Sequence, residues 1–258
     1  MQALLIVIAA CYGLIIGSFL NAWAYRLVHG ERITSGRSHC PHCGSQIRAY
    51  DNIPVVSWLV LRGHCRDCGA PISWRYPAGE ALTALLYVAV VLADGFSWLL
   101  VPHLLFVSAL VLVSQVDIEK QIIPDVVILP VAAIGLPLMI VLGTGPWWQY
   151  PVAGAGAAGF LLLVSEVYFR LRHQEGMGFG DVKLALCMGI YLGAAVVPAL
   201  FIGFIAGAAI GVAIIAARRG GGKTAIPFGP FLAAGAVIAL FYGPPLIDVY
   251  LGLVTRGY

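Results

Sequence analysis

Forty consecutive residues, Val126 to Ser165, carry no charged side chain, and the whole chain of 258 holds only 15 basic and 12 acidic residues. Ordinary soluble domains carry about 25% charged residues, against 10% here, while 60% of this chain is hydrophobic and its mean hydropathy is +0.92. A water-soluble globule has too little interior to hide so much apolar surface. Disordered chains are poor in apolar residues and rich in charge, so the same imbalance excludes disorder. What remains is a chain whose solvent is lipid, where backbone polar groups must be paired internally, as in a helix. The expected fold is all-α: a polytopic membrane protein of about eight transmembrane helices with one small polar insert.

No charge appears from Met1 to Tyr25, which removes the basic leader of a cleaved signal peptide and predicts a permanent first span. Uncharged windows of about 20 residues place the spans at 3–25, 77–93, 97–116, 126–142, 152–169, 184–197, 199–217 and 227–247. Turn chemistry punctuates them: Asp94-Gly95, Gly143-Thr-Gly-Pro146, Pro198 and Gly220-Gly-Gly222. Spans six and seven are short, with only Pro198 and the region of Gly193 between them.

Lys and Arg in the loops set orientation. With eight spans and an outside N-terminus, the loop 26–76 holds Arg26, Arg32, Arg37, Arg48, Arg62, Arg66 and Arg75. Later loops on the same side hold Lys120, then Arg170, Arg172 and Lys183, then Arg218, Arg219 and Lys223, which leaves only Arg256 outside. The formal charge of +3 therefore reflects topology and implies no nucleic-acid partner.

The insert carries Cys40-Pro-His-Cys43 and Cys65-Arg-Asp-Cys68, two CxxC pairs with 21 residues between them. Four thiolates complete a closed tetrahedral zinc site, which is structural because it leaves no open position for water. Gly44 and Gly69 follow the pairs directly, as a tight turn requires. Disulfides are the competing reading, and a reducing cytoplasm argues against them. His39, His42 and His64 border the pairs as surface residues; Cys11 and Cys187 lie in spans as small packing residues. The chain divides accordingly into a first helix (1–28), a cytoplasmic zinc-knuckle insert (29–76) and a transmembrane bundle (77–258). Within the insert, Ser57-Trp-Leu-Val-Leu61 is either a connector packed on the zinc ribbon or an amphipathic stretch along the membrane surface.

Two of the twelve acids stand apart. Asp117 closes the apolar run Val101–Val116, and Asp181 opens the sixth span just after Gly176-Met-Gly-Phe-Gly180. Both fall at the cytoplasmic ends of spans. Glycines allow close backbone approach, and irregular backbone at this depth must be buried in protein or line a wet cavity. Two carboxylates brought together share a proton, so that one acts as acid while the other activates water. That is the requirement of aspartyl peptide hydrolysis.

With these motifs in view, the sequence resembles the type IV prepilin peptidases, membrane aspartic proteases of type IV pilus and type II secretion systems. The resemblance rests on Gly17-Ser-Phe-Leu-Asn21 with Tyr25-Arg-Leu27, and on Asp51-Asn-Ile-Pro-Val55, Ser57-Trp-Leu59, Leu61-Arg-Gly63, Ile72-Ser73 and Arg75-Tyr-Pro77. It continues through Asp117 with Ile123-Pro-Asp125, the GxGD segment Gly178-Phe-Gly-Asp181-Val-Lys183, and Ile226-Pro-Phe-Gly-Pro-Phe231. Val28 departs from the family pattern, as does Ala78-Gly79 before Glu80.

The resemblance implies a bifunctional enzyme of the bacterial inner membrane, with prepilins and pseudopilins as substrates. It cleaves their basic leader after a glycine at the cytoplasmic boundary and then N-methylates the new amino terminus with S-adenosyl-L-methionine. The four-cysteine zinc insert is typical of bifunctional members. By the same carry-over Asp117 and Asp181 are the catalytic dyad, with Gly178 and Gly180 in support. Asp125 orients Lys120 or substrate, and Lys183 either tunes the dyad or meets a lipid phosphate. Asn21, Arg26, Asp51, Asn52 and Glu80 are candidates for the methyl donor, Glu80 being either an interfacial anchor or a partner for the new amine. Three other readings stand beside this one: a peptidase without methylation, a proton-coupled transporter using the two aspartates, and a zinc-ribbon scaffold. Neither the oligomeric state nor the identity of the processed prepilin is encoded in any of these motifs.

Overall fold

A computed structural model describes residues 2–34, 36–173, 177–217 and 226–255. The expected basic residues Arg218, Arg219, Lys223 and Arg256, the turn Gly220–Gly222 and Gly176 lie outside the described residues. Nine α-helices run through the rest, and no strand occurs among the described residues. They are α1 (Gln2–His29), α2 (Val56–Val60), α3 (Arg75–Asp94), α4 (Leu100–Lys120), α5 (Asp125–Leu142), α6 (Gln149–Arg172), α7 (Phe179–Leu192), α8 (Val196–Ala217) and α9 (Gly229–Thr255). By length and composition six stretches can cross a membrane: α1, α3, α4, α5, α6 and the run Phe179–Ile214; Gly229–Gly243 is a shorter apolar helix.

Apart from the short α2, eight helices thus stand where about eight spans were expected, but the sixth and seventh differ. With 14 residues, α7 is about 21 Å long, short of a hydrocarbon core of about 30 Å. It passes into α8 through a 3-10 turn at Gly193–Ala195. The break falls at Gly193, whose φ is +55°, and not at Pro198. Proline is tolerated in a first helical turn, where its missing N–H would have no partner anyway.

Packing divides the chain into two compact units, Met1–Leu100 and Val101–Tyr258. In the first, α3 lies on α1 because Gly13 and Gly17, one turn apart, leave room for it. A Cβ on Gly17 would fall 2.7 Å from the Glu80 Cα and 3.1 Å from the Thr83 side chain. This small-xxx-small face is how helices approach closely in lipid. It also groups α3 with α1 and the insert, although the sequence division at residue 77 cuts between them. At the far end of α3 the chain turns at Gly95, φ +63°, whose N–H caps Val91.

In the second unit α4 is the core. Phe106, Val107, Val113 and Val116 are wholly buried. Its Phe106 stacks on Tyr191 of α7 with ring centres 4.5 Å apart, and the Tyr191 hydroxyl donates to the Val131 carbonyl of α5 at 2.9 Å. Helices α6 and α7 meet through Gly154 and Gly189: a Cβ on Gly189 would fall 2.5 Å from the Ala153 backbone. Gly203 and Gly207 of α8 face Phe228, Phe231 and Leu232 at the start of α9. Cys187 is buried, as a packing residue should be, whereas Cys11 is exposed on α1.

Candidate functional site

Asp117 sits three residues before the end of α4, where unpaired carbonyls give the helix terminus a negative charge that disfavours a carboxylate. It is nevertheless 4% exposed. The compensation comes from α9: the Gly229 N–H, in its first turn, donates to Asp117 Oδ2 at 2.8 Å. Asp181 occupies the first turn of α7, the end of a helix that favours negative charge. Its carboxylate folds back over Gly178, where an added Cβ would lie 3.6 Å from Oδ2. The Asp117 carboxylate is close enough to act on Asp181 electrostatically. The two aspartates singled out by position are therefore brought together by three helix ends.

Gly180 shows why the GxGD segment needs its second glycine. A Cβ there would fall 2.9 Å from the Ile123 Cβ and 3.4 Å from the Ile123 N, so the α4–α5 connection lies directly on this turn. Beside that contact Lys183 Nζ donates to both oxygens of Asp125, at 2.6 and 2.7 Å. The partner of Asp125 is therefore Lys183, where the sequence had suggested Lys120 or substrate, and the ammonium of Lys183 is engaged by that carboxylate. The connection after Asp117 and the turn before Asp181 are stapled by one apolar contact and one ion pair. Sequence reasoning missed Gly229 as a donor; Gly-Pro at the start of a helix was the available signal, since Pro230 can donate nothing.

In the insert the two CxxC pairs fold alike. The N–H of Cys40 reaches the Ser45 carbonyl and that of Gly44 reaches Cys40; Cys65, Ala70 and Gly69 repeat the pattern at 2.8–2.9 Å. Gly44 and Gly69 have φ of +72° and +70°. All four sulfurs lie within 4.8 Å of one another, and Cys40 Sγ to Cys68 Sγ is 3.9 Å. A tetrahedron with metal–sulfur bonds of about 2.3 Å has edges of about 3.8 Å, so the donor set fits a closed zinc site. Disulfide sulfurs would lie about 2.05 Å apart. Hydrogen bonds from Ser45 hold the Cys43 thiol down at about 6. The Cys68 thiol goes up to about 12: an Ala70 backbone N–H pulls it down, but desolvation and the three neighbouring sulfurs prevail. A dication would relieve that crowding. Cys65→Ser should therefore cut bound zinc from about one per chain to a small fraction. Elemental analysis of the purified protein checks this, and an unchanged zinc content would remove the assignment.

Between α1, the insert and α3 lies a cavity of about 390 Å³, within the size range of small-molecule sites. All five methyl-donor candidates line it: Asn21, Arg26, Asp51, Asn52 and Glu80; Cys40 and Cys65 form part of its wall. Several are tied down within the chain. The Asn21 amide donates to the Tyr76 carbonyl at 2.9 Å, and Arg26 to the carbonyls of Ile33 and Gly36 at 2.5 and 2.8 Å. Arg66 grips Asp51 with three contacts of 2.7–3.1 Å, which holds its carboxyl below the usual range. The stabilisation from that pair is present above the ordinary aspartate pKa and fades as pH falls through the lowered one.

Glu80 is not an interfacial anchor. It is 8% exposed, and its Oε2 accepts the Val55 N–H at 2.7 Å. Val55 has φ +61° and ψ −49°, a positive-φ conformation that a β-branched residue rarely adopts and that costs about 1–3 kcal/mol. Nothing in the local sequence announced this brace.

Two family models match the chain: the bacterial Peptidase A24 N-terminal domain over residues 11–93 and the type IV leader peptidase family over residues 104–212. A protein from Aeromonas hydrophila described as a prepilin leader peptidase/N-methyltransferase is 39% identical, with 93% of this chain and 91% of that protein aligned. Proteins of the same description from Stutzerimonas stutzeri and Pseudomonas aeruginosa are 34% and 36% identical, over 94% and 93% of this chain and 92% and 91% of theirs. No solved structure matches the chain.

Proposed function

This chain belongs to the type IV leader peptidase family, and from that membership we propose that it cleaves the leader of type IV prepilins and pseudopilins after a glycine and then methylates the new amino terminus. The observation that carries the hydrolytic half is that Asp181 lies within electrostatic reach of Asp117, whose Oδ2 accepts the Gly229 N–H. One carboxylate, ionised, takes a proton from water as the water attacks the scissile carbonyl. The other, protonated, gives its proton to the departing amine. The pair works as a unit, so base and acid are roles of the dyad and not of a named residue. The loop distribution of Lys and Arg supports a cytoplasmic placement of the aspartates and the zinc insert in a bacterial inner membrane. On this reading residues 101–258 carry the protease, and 29–76 form the zinc-stabilised wall of the methylation pocket, which α1 and α3 complete.

The cavity lined by Asn21, Arg26, Asp51, Asn52 and Glu80 suits a methyl donor of the S-adenosyl-L-methionine class, which supplies an electrophilic methyl group. The chain's part is to hold the new amine and to take the proton it sheds when its nitrogen bonds the methyl carbon. Glu80 is the carboxylate placed for that. Glu80→Gln should lower methyl transfer about 10²-fold while leader cleavage continues. Labelled methyl incorporation, measured beside cleavage of the same prepilin in detergent, decides this. Equal loss of both activities would mean that Glu80 serves folding alone.

The Asp125–Lys183 staple positions the dyad without touching substrate. Lys183→Met should lower kcat about 10-fold with KM little changed, the size expected for a sub-ångström shift of Asp181. Exchanging the two, Asp125→Lys with Lys183→Asp, should recover part of the loss. A loss confined to KM would place the pair in substrate binding instead.

A further inference from the structure

We propose that α2 is a membrane anchor, with the face formed by Val56, Leu59 and Val60 seated in the boundary between lipid headgroups and acyl chains. Spacing of i, i+3, i+4 puts these three residues on one side of the helix, and they are 52%, 61% and 69% exposed. Ile53, just upstream, is 49% exposed. The opposite side is fixed by polar bonds. Ser57 is buried, donates to the Tyr50 carbonyl at 2.9 Å and accepts the Ile53 N–H at 3.0 Å. The Trp58 indole donates to the Ile72 carbonyl at 3.0 Å. The apolar side is therefore turned outward by design of the fold.

Depth identifies what it meets. The residue preceding α2, Val55, is bonded to Glu80, five residues into α3 from Arg75, or about 7 Å along the axis. On α1 the residue packed against Glu80 is Gly17, nine residues before Arg26, or about 13 Å. Arg26 and Arg75 are the charges that bound these two apolar spans at this end. So α2 begins at a level inside the polar boundary, about 7 Å by the measure of α3 and about 13 Å by that of α1, at or just beyond the roughly 5–10 Å where amphipathic helices settle.

Its surroundings agree. Trp74 and Tyr76, 68% and 37% exposed, stand at the same end of α3, where aromatic side chains mark membrane interfaces. Exposed Arg62 follows α2 directly, a cation at headgroup level. The insert is then pinned to the bilayer between its two knuckles, and the cavity it walls opens at the membrane boundary. This inference rests on α1 and α3 spanning the membrane and not on the enzymatic reading.

The test places an added tryptophan at Leu59 in the full-length, zinc-loaded protein, in phosphatidylcholine–phosphatidylglycerol vesicles whose acyl chains are brominated. Two references bracket it: Leu163→Trp on α6, at a position 62% exposed, and His42→Trp on an exposed knuckle. With the native emission subtracted, Leu59→Trp should be quenched like Leu163→Trp and unlike His42→Trp. Val60→Trp repeats the measurement should Leu59→Trp fail to load zinc. Quenching no greater than at His42 overturns the anchor. Quenching that appears only when protein is diluted in lipid would assign the face to a second copy and overturn it equally.

Discussion

Asp117→Asn and Asp181→Asn should each lower prepilin cleavage about 10³-fold or more, at the upper end of what a lost proton-transfer group costs. Asparagine keeps the shape of the side chain, and its amide oxygen can still accept the Gly229 N–H that now reaches Asp117 at 2.8 Å. The helix ends that hold the pair should therefore stay in place, and the loss should appear in kcat with the melting temperature nearly unchanged. Methyl transfer onto substrate whose leader has already been removed should continue in both variants, because the cavity proposed for the methyl donor is built from residues 18–80. A variant that cleaves within about tenfold of the parent protein would remove its aspartate from the dyad.

Gly229→Ala should abolish most cleavage for a different reason. An added Cβ would stand 2.8 Å from Asp117 Oδ2, closer than real Cβ atoms approach, and a tight 3.2 Å from its Cγ. Either the carboxylate or the start of α9 must move, and a displacement approaching an ångström costs about 10²-fold. The chemistry of both aspartates is untouched, so this result separates geometry from proton transfer. Gly156→Ala on α6 is the matched control, since a Cβ there meets nothing within 4 Å; its activity should be that of the parent protein. If Gly229→Ala cleaves as fast as Gly156→Ala, the α9 N–H is not part of the catalytic arrangement.

Much of the helical layout was legible because lipid makes hydropathy a direct structural signal. The expected spans 77–93 and 126–142 correspond to α3 at Arg75–Asp94 and α5 at Asp125–Leu142. Of the two separators between spans six and seven, Pro198 and the region of Gly193, the structure breaks the helix at Gly193. Proline looks like a stop wherever it stands. Its effect depends on whether its N–H would have been used, and at Pro198 it would not. The four cysteines were equally legible, since CxxC with a following glycine dictates its own local turn.

The staple, the brace and the donor were not legible. Lys183 finds Asp125 across 58 residues and Gly229 finds Asp117 across 112, and no local pattern encodes partners so far apart. Glu80 looked like a boundary charge until α2 and Val55 were seen to close over it. Composition and motif order determined by themselves that this chain lives in a membrane, where its cysteines and aspartates must work, and which chemistry those residue types permit. Hydropathy and local turns suffice for that because each is set by a residue and its near neighbours. The tertiary structure decided which helix end neutralises Asp117, what Lys183 holds, and which side of α2 is left exposed. Those are outcomes of packing between distant segments, where close approach at a few glycines selects one partner among many that sequence alone would allow.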